Sequence, residues 1–214
     1  MDFLLGFMAR KLLLLRHGET GEAYLNRYVG STDFPLSERG RRQAGVMKMF
    51  LHDRVFDHCL CSPMARCMET AAAVLESREI RMEIDHNLRE IDFGQWEGMS
   101  FDEIAKSSPD LVRRWGAFDP VFAFPGGESI GDFLERVRFV AERLSHDPAD
   151  TILLCTHGGI IRTMICHFLK LEPWQYILFT VKPASVTTIE LYDSGGILTG
   201  LSETGQIHLT EGRR

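Results

Sequence analysis

Nowhere in this 214-residue chain is there an apolar run approaching the ~20 residues of a membrane span, so stable membrane insertion is not expected. Positive charge is also in deficit: 24 Lys and Arg stand against 30 Asp and Glu, for a formal net charge of −6. No global basic field is available to attract nucleic acid, although a few convergent arginines can still form a local basic pocket. The cysteines, Cys59, Cys61, Cys67, Cys155 and Cys166, are odd in number and contain no C-x-x-C pair. Cys59, Cys61 and Cys155 fall in apolar, strand-like runs, so free buried thiols of a cytoplasmic protein are expected. There is no H-E-x-x-H or cysteine–histidine spacing suited to zinc, no internal repeat, no low-complexity tract and no obvious linker. The start, Met1 to Ala9, is apolar but short, lacks the basic region and cleavage site of a signal peptide, and is followed by Arg10-Lys11. It reads as a leader over residues 1–10, with a single domain over 11–214.

What is present begins with Leu13-Leu14-Leu15-Arg16-His17-Gly18-Glu19-Thr20, an apolar run ending in a cation, an imidazole and a glycine. Such a run reads as a buried strand, Lys11 to Leu15, delivering reactive side chains to a sheet edge. Ser37 is placed to cap a helix running to about Leu51, with Ala44, Met47 and Phe50 on one face. Val55 to Cys61 reads as a second strand. Ser62-Pro63 then reads as a helix N-cap followed by proline at the first helical position. Ile80 to Ile84 reads as a short strand, and Ser100-Phe101-Asp102-Glu103 as a capping box. Phe124-Pro125-Gly126-Gly127 reads as a loop. Phe133, Val137, Val140 and Leu144 mark one face of a helix over Ser129 to Leu144. Thr151 to Cys155 reads as another buried strand, Gly158-Gly159 as the opening of a helix over Ile160 to Leu169, and Ser185 to Leu191 and Ile197 to Leu201 as terminal strands. The alternation predicts an α/β fold, a three-layer α/β/α sandwich whose mostly parallel sheet carries helices on both faces. The terminal strands offer an edge at which a second copy could pair, so a homodimer is among the expectations.

In a parallel sheet the site lies beyond the carboxyl ends of the strands. One strand delivers Arg16-His17-Gly18, another leads to Ser62 and then Arg66, and a third delivers Thr156-His157-Gly158-Gly159. If these strands are neighbours, two histidines, two arginines and two helix N-termini meet at one edge, a set of donors suited to phosphate oxygens. A histidine can be nucleophile, base or metal ligand. Two histidines with Glu90 resemble a zinc triad, but two arginines would repel a divalent cation, so neither metal nor cofactor is expected.

With these residues assembled, the chain resembles the histidine phosphatase superfamily, which includes the phosphoglycerate mutases. The resemblance runs from about Lys11 to His208. It is carried by Arg16-His17-Gly18 with Glu19-Thr20, by Asn26 to Gly30 and Asp33 to Ala44, and by Ser62 to Arg66 with Glu69-Thr70-Ala71. It continues through Leu88-Arg89-Glu90 with Phe93 to Gly98, and ends on Thr156-His157-Gly158-Gly159. It implies a phosphoglycerate mutase-like fold with a lid-like insertion at about 91–128. One departure is Ala23, where many relatives carry a phosphate-contacting asparagine; Asn26 is the nearby candidate to replace it.

The resemblance further implies a metal-independent phosphomonoesterase acting on a small phosphorylated metabolite. His17 would be the nucleophile that forms a phosphohistidine, its other ring nitrogen held by a backbone carbonyl near Gly18. Arg16, Arg66 and His157 would bind the phosphoryl oxygens, with Gly18, Thr20, Asn26 and Gly158 completing the substrate site. Glu90 would be the general acid and then base, which calls for a raised pKa. Glu19 would be an outer partner of the arginines or a fold residue. Mutases of this group typically carry a longer insertion before the second histidine than Ile91 to Thr156, which favours hydrolysis. Asn26 to Gln43, Leu88 to Gly98 and Pro125 to Ser129 look most like the α-ribazole phosphatases of cobalamin assembly, which points to α-ribazole 5′-phosphate. The alternatives are a broad-specificity sugar-phosphate phosphatase, a phosphoglycerate-type mutase and a non-catalytic binding relative. Trp96, Trp115, Phe118, Phe122 and Phe124 either line a lid that recognises an aromatic base or pack the insertion onto the domain; packing is expected for most of them.

Overall fold

The computed structural model describes residues 9–24 and 26–205; most of the expected leader lies outside them. Among the described residues, six strands form one sheet: β1 (Arg10–Arg16), β2 (His58–Cys61), β3 (Met82–Ile84), β4 (Thr151–Thr156), β5 (Val186–Tyr192) and β6 (Gly195–Glu203). Their order is β3-β2-β4-β1-β5-β6. β3, β2, β4 and β1 run parallel, and β5 and β6 join antiparallel beside β1. The sheet is therefore mixed, with its parallel part at the site.

Strand alternation divides the apolar runs between two faces. Leu12 and Leu14 pack with Ile152, Leu154 and Leu60 under α5 (Ile130–Ser145) and α6 (Gly158–Phe168). Leu13 and Leu15 pack with Leu153, Cys155, Cys59 and Cys61 under α1 (Glu38–Phe50) and α2 (Ala65–Leu75). This is the expected three-layer sandwich. All five cysteines are free and buried. A third cluster, with Trp96, Ile104, Phe122, Phe124 and Ile130, holds the segment that includes α3 (Phe101–Ser107) and α4 (Pro109–Gly116). No helix among the described residues is long and apolar enough to cross a membrane.

Several boundaries differ from the sequence reading. β2 starts at His58 and leaves Val55 exposed, and β3 is a short, exposed edge strand. The pattern gave no separate signal for α4 or for the 3₁₀ turn Pro173–Leu178. Ser62 does not cap α2. That helix begins at Ala65 after Met64, and the Ala65 amide donates instead to Asp33 Oδ1 at 2.8 Å. The Ser62 hydroxyl lies one turn ahead of the helix, where it accepts the Met64 amide at 3.4 Å and meets His157 Nε2 at 2.9 Å. Ser37 and Ser100 do cap α1 and α3, the latter as a full capping box.

Leu154 is fully buried on β4, between β1 and β2. Leu154→Ala should cost about 2–5 kcal/mol, read as a lower urea midpoint with an unchanged slope.

Candidate active site

Strand register brings the motifs together. Arg16 on β1 pairs with Thr156 on β4, so the next residues, His17 and His157, emerge side by side. Their ring centroids are 5.1 Å apart at 63°. Cys61 on β2 pairs with Cys155, which places the first turn of α2, and with it Arg66, on the other side of His157.

The His17 ring is fixed by its own turn. Nδ1 lies 2.7 Å from the Gly18 carbonyl, which can only accept, so Nδ1 carries the proton and Nε2 keeps its lone pair. Burial, reinforced by Arg16 and Arg66, holds His17 well below the ordinary histidine pKa. The ring is neutral at physiological pH, as a nucleophile must be. Gly18 is backed by Gly40, whose carbonyl oxygen would lie 2.7 Å from an added Cβ.

His157 is wholly buried. Arg66 Nε donates to its Nδ1 at 3.3 Å, which leaves the proton on Nε2 to donate to Ser62 Oγ. Burial first, then the neighbouring His17 ring and the arginine charges, disfavour a proton on His157 and push its pKa well down too. The Cys67 thiol lies 3.4 Å from Nε2.

Carbonyl oxygens anchor the two arginines. Arg66 is 1% exposed; Nη2 donates to Gly30 O at 2.7 Å and Nη1 to Thr32 O at 2.9 Å. With Nε on His157, two of its five N–H donors have no partner among the described residues. Arg16 Nη1 donates to Val181 O at 2.6 Å, while its Nε is buried with no hydrogen-bond partner among the described residues. Burial lowers the Arg16 pKa and nearby Glu90 opposes that shift.

The tandem glycines explain how Arg16 and Glu90 come so close. The Arg16 guanidinium lies over Gly158, its Cζ 3.3 Å from where a Cβ would stand. Glu90 Oε2 accepts the Gly159 N–H at 2.8 Å, and a Cβ on Gly159 would collide with its carboxylate. The N-terminus of α6 thus forms a bare floor for both side chains.

Glu90 borders two openings. One is a cavity of about 90 Å³ walled by Tyr28, Phe93, Trp115, Phe118, Phe124 and Tyr176. Arg162, one turn along α6, also lines it, with Cζ 4.9 Å from the Tyr176 ring and Nε on Gly158 O. The other is a polar groove with Ser31, Arg89, Asp92 and Arg136.

Not every candidate converges. Thr20 is half-buried, and Asn26 is exposed on a turn with φ 62°. Neither makes a hydrogen bond to His17, His157, Arg16 or Arg66 among the described residues. Ala23 is exposed. Glu19 pairs with Arg39 at 3.4 Å and makes no ion pair with the site arginines among the described residues. Trp115, Phe118 and Phe124 line the cavity, whereas Trp96 and Phe122 are buried in the cluster behind it. The sequence reading missed Tyr28, Phe93, Arg162 and Tyr176. Tyr28 and Phe93 lie in segments that carry the resemblance, and Arg162 stands four residues after Gly158 on a helix; Tyr176 had no local signal. No group of three or more His, Cys, Asp or Glu side chains among the described residues could hold a metal ion.

Two predictions follow from this geometry. Gly159→Ala should displace the Glu90 carboxylate and lower kcat roughly tenfold or more, most for esters with poor leaving groups; a matched loss across leaving groups would contradict it. Both histidines are held neutral in the fold, whereas the unfolded chain binds their protons near pH 6.5. Their contribution to stability is therefore intact above that pH and falls as pH drops below it, by at most about 1.4 kcal/mol per pH unit for each ring. Denaturation midpoints between pH 7.5 and about 5.5 should show this slope, and His17→Asn should reduce it.

A model of the histidine phosphatase superfamily (branch 1) matches residues 12–204. Phosphoserine phosphatase 1 of Hydrogenobacter thermophilus is 30% identical over 202 residues, 94% of this chain and 95% of that protein. The adenosylcobalamin/alpha-ribazole phosphatase of Escherichia coli is 32% identical over 183 residues, 85% of this chain and 90% of that protein. The crystal structure of the alpha-ribazole phosphatase from Shigella flexneri superposes with a TM-score of 0.80 at 30% identity, covering 90% of this chain and 96% of that one. Paired strand-end histidines, carbonyl-anchored arginines and a carboxylate on a bare helix N-terminus are thus set in a matching fold, and the chain belongs to the histidine phosphatase superfamily.

Proposed function

We propose that this chain is a metal-independent phosphomonoesterase that works through a phosphohistidine at His17. One observation carries the reading. Among the described residues the buried Arg16 Nε–H has no partner, and it stands beside a neutral imidazole whose Nε2 makes no hydrogen bond to them. An unsatisfied buried donor costs about 1–3 kcal/mol, a cost that a phosphoryl oxygen would relieve.

In the first step Nε2 of His17 attacks phosphorus, and the ester oxygen leaves with a proton from Glu90. Arg16 and the two remaining donors of Arg66 take the non-bridging oxygens, where negative charge is greatest in the transition state. His157 joins them when its Nε2–H turns from Ser62 to the phosphoryl group. In the second step Glu90 takes a proton from water, which attacks the phosphohistidine and releases inorganic phosphate. Gly18 and Gly158 supply backbone, while Thr20 and Asn26 would need to move to reach substrate.

The leaving group departs past Glu90 into the aromatic cavity, which suits a planar ring. Two of the relatives above are named alpha-ribazole phosphatases, and α-ribazole 5′-phosphate is therefore the first candidate. Sugar phosphates that use the polar groove are the alternative, favoured by Arg89 on its wall. The short stretch before His157 supports hydrolysis over mutase chemistry, and the intact catalytic set supports an enzyme over a binding relative.

His17→Ala should abolish phosphate release from 4-nitrophenyl phosphate, and EDTA should leave the wild-type rate unchanged. Glu90→Gln should slow phenyl phosphate far more than 4-nitrophenyl phosphate, because the better leaving group needs no proton. Near-wild-type turnover by His17→Ala would refute the covalent route. Release assays with α-ribazole 5′-phosphate and a set of sugar phosphates then rank the substrates.

A further inference from the structure

The reaction above makes no use of Glu97, yet this side chain is linked to Arg66 by hydrogen bonds through the 30–32 loop. Glu97 Oε1 accepts the N–H groups of Gly30 and Ser31, each at 3.0 Å, and that of Phe93 at 3.2 Å. Oε2 accepts the Thr32 hydroxyl at 2.7 Å and the Thr32 N–H at 3.3 Å. Three successive amides, Gly30, Ser31 and Thr32, thus close around one carboxylate as an anion nest.

The carbonyls of this loop face Arg66. Gly30 O accepts from Nη2 and Thr32 O from Nη1. The Ser31 N–H and the Gly30 carbonyl belong to the same peptide unit. That unit therefore connects the Glu97 carboxylate directly to the Arg66 guanidinium, and hydrogen bonds in such a chain polarise one another. Asp33, the next residue of the loop, accepts the Ala65 amide and ties the loop to the start of the helix that carries Arg66. Gly30 admits this arrangement because an added Cβ would strike the Ile91 carbonyl oxygen and stand 2.9 Å from Glu97 Oε1.

We propose that Glu97 is a positioning residue for phosphoryl recognition: its carboxylate fastens the 30–32 loop whose carbonyls aim the Arg66 guanidinium at the phosphoryl group. This rests on Arg66 being a phosphoryl ligand, as proposed above. Glu97 itself touches no substrate. Loosening the loop releases two of the three bonds that hold Arg66 and leaves only its contact with His157.

The test is the affinity for inorganic phosphate, measured by calorimetry, which does not depend on turnover. Glu97→Gln keeps the size of the side chain but removes its charge and turns one acceptor into a donor. Phosphate affinity should weaken roughly tenfold, and kcat/KM for 4-nitrophenyl phosphate should fall by a similar factor. The ratio of rates between good and poor leaving groups should stay unchanged, since Glu90 is not involved. Thr32→Val, which deletes only the 2.7 Å hydroxyl bond, should give a loss of roughly threefold in the same direction. In an Arg66→Ala background, Glu97→Gln should add no further loss of phosphate affinity. A folded Glu97→Gln with lowered Tm but wild-type phosphate affinity would overturn the proposal, as would an equal loss in the Arg66→Ala background. If Glu97→Gln does not fold, unchanged phosphate affinity in Thr32→Val overturns it. Phosphate binding without hydrolysis by the wild type would defeat the phosphatase reading alone.

Discussion

Among the described residues, the site arginines are hydrogen-bonded by carbonyl oxygens and not by carboxylates. Arg66 rests on Gly30 O and Thr32 O, Arg16 on Val181 O and Arg162 on Gly158 O. Carbonyl dipoles stabilise a buried guanidinium without cancelling its charge, so the pocket stays electropositive. Arg136 shows the contrast: it holds the Asn87, Arg89 and Glu90 carbonyls but is neutralised by Glu128 at 2.6 Å. Arg136 secures the backbone of the Glu90 segment; Arg16 and Arg66 keep their charge for a ligand. The same field, added to burial, keeps both histidines neutral, which a nucleophilic imidazole requires.

Close approach is the second condition, and glycine meets it. Gly158 and Gly159 let a cation and an anion lie side by side on the first turn of α6. They touch the helix floor at different points: Glu90 takes the Gly159 amide, and Arg16 covers Gly158. In the proposed mechanism this keeps the acid near the departing oxygen and the arginine near the phosphoryl group. Gly30 plays a matching part at the loop that steadies Arg66.

Much of this was legible in the sequence because it follows from strand ends. Apolar runs of Leu12–Leu15 and Ile152–Cys155 mark buried strands, and parallel register then forces His17 and His157 together. The Gly18 carbonyl partner of His17 was also foreseeable, being one residue away. What escaped the reading depends on contacts without a local pattern. Ser62 has the form of a helix cap, but its hydroxyl meets a histidine 95 positions on. Arg66 is anchored through backbone oxygens, which carry no residue signature. Tyr28 and Tyr176 meet at one cavity from distant segments. Asn26, chosen as a stand-in for the residue missing at Ala23, instead sits exposed on its turn.

The account turns on two successive displacements at phosphorus, the first by His17 and the second by water. The most direct measurement is the stereochemical course of phosphoryl transfer from an isotopically chiral phosphate ester to an alcohol that replaces water. Two in-line displacements predict net retention of configuration. Net inversion would show a single direct attack and would contradict a phosphohistidine intermediate.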